Sequence, residues 1–109
     1  MAKIYVASSW RNLYQPGMVV LLRKNGHEVY DFRNPEPGNT GFGWGQIDEN
    51  WKSWSPEAFR FALAHPVAKK GYRFDKNALD WCDLGVLVLP SGMSAHLEAG
   101  WIGGSGKPV

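Results

Sequence analysis

With 109 residues, the chain has room for one compact domain around one core and little left for a second module. Hydrophobic residues at 44% and charged residues at 20% are ordinary for a soluble globular protein, and the 13 glycines show no triplet period, which excludes a collagen-like chain. A formal charge of +2, spread evenly with no basic run longer than Arg23-Lys24 or Lys69-Lys70, excludes a groove for a nucleic-acid polymer.

In chain order, Lys3 to Ala7 reads as a short buried strand opening into the polar loop Ser8-Ser9-Trp10-Arg11-Asn12. A helix follows, with Pro16 in its first turn and Met18, Leu21 and Leu22 on one face. Asn25-Gly26 stops it, because glycine accepts the left-handed conformation beyond a helix end. His27 to Phe32 gives the second strand, which completes one βαβ unit. From Arg33 to Trp54 the pattern dissolves into Asn-Pro-Glu-Pro-Gly-Asn and Gly-Phe-Gly-Trp-Gly, an irregular stretch of a length usually reserved for lids and binding loops, and it reads as a mobile flap. Ser55-Pro56-Glu57 starts a helix that runs to about His65, before Pro66. Asp75 is placed to cap a further short helix through Asp80. Leu84 to Leu89 is an uninterrupted apolar run of the kind found in a central parallel strand. After the turn Pro90 to Ser94 comes a glycine-softened helix with Ser94 at its N-cap. Gly106 to Val109 begins a last strand that the chain leaves incomplete.

Strands alternating with helices predict a single α/β domain over 1–109: a flavodoxin- or Rossmann-like, three-layer fold with a parallel sheet of four to five short strands. In a flavodoxin-like order the first strand lies beside the Leu84–Leu89 strand where the winding reverses, and ligands bind at the carboxyl ends of the strands there. Topology therefore brings the Ser8–Asn12 loop to the Ser91–Ser94 turn and the helix that carries Glu98.

Several chemistries find no support. The single Cys82 excludes an internal disulfide, suits a reducing cytoplasm, and reads as a packed thiol beside an apolar strand. His27, His65 and His96 have no metal-ligand spacing, so neither a metal nor another cofactor is expected. No phosphate-binding Gly-rich motif follows the first strand, which weighs against an ATPase or a dinucleotide oxidoreductase. No charged-then-apolar leader and no apolar run of spanning length is visible, so a cytoplasmic protein without a membrane partner is expected. Of the six tryptophans, Trp44, Trp51, Trp54 and Trp81 lie in or after the irregular middle, where they serve as packing or as a surface on which a base stacks.

Ser94 and Glu98, four residues apart, share a helical face. The helix start offers unpaired amides and partial positive charge to an anion. Glu98 is set among Ala95, Leu97, Ala99 and Gly100, which are small or apolar; its bland reading is a dipole-stabilising glutamate.

These segments together resemble the nucleoside 2-deoxyribosyltransferase family and its relatives that hydrolyse deoxynucleoside 5′-monophosphates. The resemblance rests on Lys3-Ile4-Tyr5-Val6-Ala7 with Ser9-Trp10; on Asp75 ahead of Cys82-Asp83; and on Ser94-Ala95-His96-Leu97-Glu98-Ala99-Gly100 leading to Gly106-Lys107-Pro108-Val109. It spans nearly the whole chain. It implies that Glu98 is the nucleophile at C1′ of the sugar, that Asp75 protonates or holds the departing base, and that Tyr5 positions the nucleophile. It implies no metal or cofactor, a small nucleoside or nucleotide as partner, and a homo-oligomer. Two departures stand out. The transferases carry an aspartate shortly before the nucleophile, where this chain reads Ser91-Gly92-Met93-Ser94. That serine-rich turn, with Ser8, Ser9, Trp10 and Arg11 opposite, is closer to the hydrolases, whose serines hold a 5′-phosphate. The chain also stops where family members continue the last strand. The expected function is N-glycosidic bond cleavage by a transferase-like enzyme. A nucleoside 5′-monophosphate N-hydrolase and a non-catalytic nucleotide-binding module are the alternatives, and a purely structural protein is the blandest.

Overall fold

The computed structural model describes residues 1–109. Its centre is a parallel sheet of three strands, β1 (Lys3–Ala7), β2 (Glu28–Asp31) and β3 (Leu84–Leu87), in the order β2-β1-β3. Four helices surround it: α1 (Gln15–Lys24), α2 (Pro56–Ala62), α3 (Pro66–Trp81) and α4 (Met93–Gly104). The first and third strands are neighbours, as the expected winding requires. The sheet has three strands rather than four to five. Pro108 runs beside β3 and accepts one bond from Gly85 N (2.9 Å), but the segment forms no strand. Proline brings no amide of its own to extend the pairing.

The alternation of β1 divides the core. Ile4 and Val6 point to one face and pack with Val19 of α1 and with Val88, with Met18 and Leu22 at the margin. Tyr5 and Ala7 point to the other, against Ala78, Leu79 and Cys82 at the end of α3 and Ala95 and Ile102 of α4. Gly85, the cross-strand partner of Tyr5, makes that second packing possible: a Cβ there would stand 2.7 Å from Ile102 Cδ1. The thiol of Cys82 is buried and free, and burial raises its pKa. Lys107 donates to the carbonyls of Leu79 and Asp80 at 3.0 Å each, neutralising the last turn of α3.

Element boundaries mostly tighten. The second strand loses His27 and Phe32 from its expected ends, and the third ends at Leu87, although Val88 N still bonds Ala7 O (2.9 Å). Leu21, expected on the apolar face of α1, is exposed; Val19 takes that place. Ser55 caps α2, accepting from Ala58 N at 3.2 Å, and α2 ends at Ala62. Asp75 caps no short helix. It lies inside the 16-residue α3, which begins at Pro66 immediately after His65, whose ring accepts from Val67 N. A proline read as a stop is also the first residue of the next helix, where its missing N–H costs nothing. Ser94 is likewise not a cap: Gly92 is, and Ser94 is the second residue of α4.

Residues 33–54 are more organised than a featureless flap. Two single-turn 3₁₀ helices form at Trp44–Gln46 and Trp51–Ser53. Trp44 meets Phe42, Trp54 and Phe59 edge-on, with ring centroids 4.9, 5.9 and 5.7 Å away. Trp54 Nε1 donates to Asp48 at 2.8 Å. Phe42 lies close over Gly71, where any Cβ on α3 would approach to 2.9 Å. The segment is an aromatic cover seated on α2 and α3. No helix in the molecule is long and apolar enough to cross a membrane.

Candidate active site

The site is built on the face of the sheet that carries Tyr5. In the parallel register of β1 and β2, Tyr5 stands opposite Tyr30, and the two rings stack with centroids 5.2 Å apart and planes 24° from parallel. Each phenol holds a carboxylate. Tyr5, fully buried, donates to Glu98 Oε2 from α4. Tyr30 donates to Asp75 Oδ1 from α3 at 2.6 Å. Glu98 makes no ion pair; the one ion pair in the molecule joins Lys76 and Asp80. The second oxygens of Glu98 and Asp75 have no protein partner and are not sealed from solvent.

The electrostatics follow from partial burial. Desolvation lifts the Glu98 pKa to about 7; the Tyr5 hydrogen bond opposes the rise, and the charge of Asp75 adds to it. Asp75 is raised as well, by desolvation, with the Tyr30 hydrogen bond opposing. Both phenols are pushed far above their ordinary value, Tyr5 by burial and then by Glu98, Tyr30 by burial and then by its hydrogen bond to Asp75. Two carboxyls whose pKa values burial raises and two phenols that stay protonated share one small region.

Glu98 and Asp75 open onto a common cavity of about 690 Å³. Its walls include Ser8, Trp10, Arg11 and Ser94 from the expected set, and Trp44 and Trp51 from the aromatic cover. A second cavity of about 390 Å³ adjoins it and shares Asp75, Trp10, Phe32, Phe42 and Gln46. Asp75 thus faces both.

The first loop is held tightly. Ser8 Oγ donates to Val88 O (2.8 Å), and Asn12 Nδ2 to Val88 O (3.3 Å) and Pro90 O (3.0 Å), which ties the loop to the end of β3. One Arg33 nitrogen donates to the carbonyls of Ser9, Trp10 and Asn12 at 3.0, 2.7 and 3.0 Å, and its guanidinium lies 5.6 Å from the Trp10 ring. Gln15, buried beneath, donates to Asp31 at 2.9 Å.

Of the residues singled out by sequence, Tyr5, Asp75, Glu98, Ser8, Trp10, Arg11 and Ser94 converge here. Ser9 instead accepts from Arg11 N at 3.2 Å, outside the cavity wall. Ser91 and Gly92 lie on the far side of the α4 start, Ser91 Oγ 3.5 Å from His96 Nδ1, beside an open apolar hollow with Met93, Leu97 and Trp101. Ser94 and the Arg11 guanidinium have no protein hydrogen-bond or ion-pair partner. Tyr30 went unnoticed in the sequence; the β1–β2 register that sets it opposite Tyr5 is the signal that exposes it. Trp54 and Trp81 do not reach the cavity. No cluster of three or more His, Cys, Asp or Glu side chains is arranged to hold a metal ion.

Compared with protein-family models, with curated proteins and with solved structures, the chain gives no significant match.

Proposed function

We propose that the protein cleaves the N-glycosidic bond of a nucleoside, with Glu98 as nucleophile and Asp75 as the acid that protonates the leaving base. The observation that carries the reading is that both carboxyls open onto one cavity, each with one oxygen held by a tyrosine and the other free. In the first step the free oxygen of ionised Glu98 attacks C1′. The C1′–N bond breaks, its electron pair goes to the base nitrogen, and the Asp75 proton neutralises the base. A sugar ester of Glu98 is left. In the second step an acceptor base, or water, attacks C1′, the ester bond breaks back to Glu98, and Asp75 takes the acceptor's proton. A retaining pair of this kind needs one nucleophile and one proton donor. Tyr5 serves the first role by fixing the Glu98 carboxylate without occupying its attacking oxygen.

The test is release of free base from a panel of nucleosides, followed by chromatography. Glu98→Ala should abolish release while affinity for the nucleoside stays within about tenfold, or 1.4 kcal/mol. Intact-protein mass spectrometry during turnover should show an added sugar mass on the unaltered chain and none on Glu98→Ala. Base release that survives Glu98→Ala refutes the mechanism. A protein that binds nucleotides but releases no base from any of them is a binding module.

One observation favours the hydrolase branch: Ser94 and Arg11 line the cavity with their polar ends unengaged, a hydroxyl and a guanidinium suited to a 5′-phosphate. A nucleoside 5′-monophosphate is then the better substrate, and added free base does not speed its turnover. Acceleration by free base selects the transferase.

A further inference from the structure

Tyr30 is a half-buried phenol whose hydroxyl has one partner, Asp75 Oδ1 at 2.6 Å. Its ring is clamped against Tyr5 by the strand register, so the hydroxyl has little freedom to look elsewhere. Asp75 comes from the middle of α3, half-buried, and no other side chain holds its carboxyl. Its Oδ2 has no protein partner, and Asp75 lines both adjoining cavities. A carboxyl on a single rotatable stem delivers a proton in one direction only if something fixes its rotation.

We propose that Tyr30 is the positioning residue of the leaving-group acid: by donating to Oδ1 it turns Oδ2, the oxygen that carries the proton, toward the departing base. This inference rests on the glycosidic reading above and adds to it a residue which the resemblance does not supply. Tyr30 and Tyr5 thus divide the labour, one orienting the acid and the other the nucleophile, and their stacked rings fix the two orientations relative to each other. Tyr30 itself transfers nothing. Its phenol stays protonated in both steps, because burial and the adjacent Asp75 hold its pKa far above neutrality.

The test uses two purine nucleosides that differ in how much proton their base needs. An ordinary adenine nucleoside departs well only when protonated; an N7-methylated guanine nucleoside already carries positive charge on its base and departs without acid help. Tyr30→Phe keeps the ring and its stacking and removes one oxygen. It should lower kcat on the adenine nucleoside by about 10- to 100-fold, and lower kcat on the methylated nucleoside by less than about threefold. Asp75→Asn should show the same selectivity more strongly, and adding Tyr30→Phe to it should cost no more than about twofold further. Glu98→Ala should lose both substrates alike. Equal losses on the two substrates in Tyr30→Phe, or no loss on either, overturn the proposal. If the unaltered protein releases no base from either nucleoside or from the 5′-monophosphate of either, the glycosidic reading fails, and Tyr30 is then judged by carbon-13 titration of the Asp75 carboxyl. With Glu98, Tyr5 and Lys70 unchanged around it, Asp75 should titrate at higher pH in Tyr30→Phe, since the bond removed favours the carboxylate. An unmoved titration overturns the hold of Tyr30 on Asp75.

Discussion

The two faces of the sheet are made from the same strands and do different things. Toward α1, Ile4, Val6, Val19 and Val88 form an aliphatic layer. The one buried carboxylate beside it, Asp31 opposite Val6, is held by Gln15 of α1 at 2.9 Å and does not line the site's cavity. Toward α3 and α4, alanines, a cysteine and Gly85 leave room for two tyrosines, and the tyrosines bring two carboxyls to the edge of the core. The first face gains its stability from area removed from water. The second spends part of such a gain on desolvating acids, which is the kind of environment in which carboxyls with shifted pKa values cluster.

The sharpest way to break the contrast is Glu98→Gln. It should lower base release by roughly 1,000-fold or more, because the amide cannot form the sugar ester, while the fold persists. Next comes Gly41→Ala in the aromatic cover. Gly41 has φ +92°, and a Cβ there would stand 2.6 Å from the Trp10 ring and 2.9 Å from Phe32 O, so Trp10 must leave the cavity wall. A loss of about tenfold in kcat/KM, carried mostly by KM, with a stability cost of about 1–3 kcal/mol, is the expected outcome in steady-state kinetics and denaturant titration. On the aliphatic face, Val19→Ala should cost about 2 kcal/mol in urea unfolding and leave kcat unchanged. An altered pH profile in that variant would show that the two faces are not independent.

A last effect, spread over a range of pH, concerns stability. The folded-state pKa of Glu98 is raised from 4.5 to about 7, so between those values the native protein holds a proton that the unfolded chain has released. The destabilising effect is absent below about pH 4.5, grows as pH rises, and is complete above about pH 7, reaching roughly 2 kcal/mol once the opening of the cavity to water is allowed for. Denaturant midpoints across that window should therefore fall less steeply with pH in Glu98→Gln than in the unaltered chain. Parallel slopes would place the buried proton elsewhere.

Sequence patterning reaches the sheet well and the partner relations poorly. β1 was legible because β-branched and aromatic residues run together at Ile4, Tyr5 and Val6, and the α1 stop because Gly26 takes φ +88°. The length of α3 was hidden. Asp75 resembles a cap, and Gly71 resembles a break until Phe42 is seen packed on it. Ser94 resembles a cap for the same compositional reason, although Gly92 begins the helix without any side-chain bond. Glu98, Asp75 and Tyr5 could be singled out by resemblance, but the Tyr30–Asp75 bond joins residues 45 positions apart, and only the packing of α3 on the sheet creates it. The cover was legible as irregular, yet its order comes from Trp44, Trp54 and Phe59, whose edge-on contacts have no short-range signature.

The pairing of Tyr5 with Tyr30 across β1 and β2 makes the candidate site a matter of strand phase. Side chains alternate sides along a strand, so adding or deleting one residue inside β1 would turn Tyr5 into the aliphatic layer and present a neighbouring Ile4 or Val6 to the acids. Length changes within 33–54 that spare the aromatic contacts carry no such penalty. Over generations, the two tyrosines should therefore travel as a unit with the spacing around them, while the tip of the cover drifts freely.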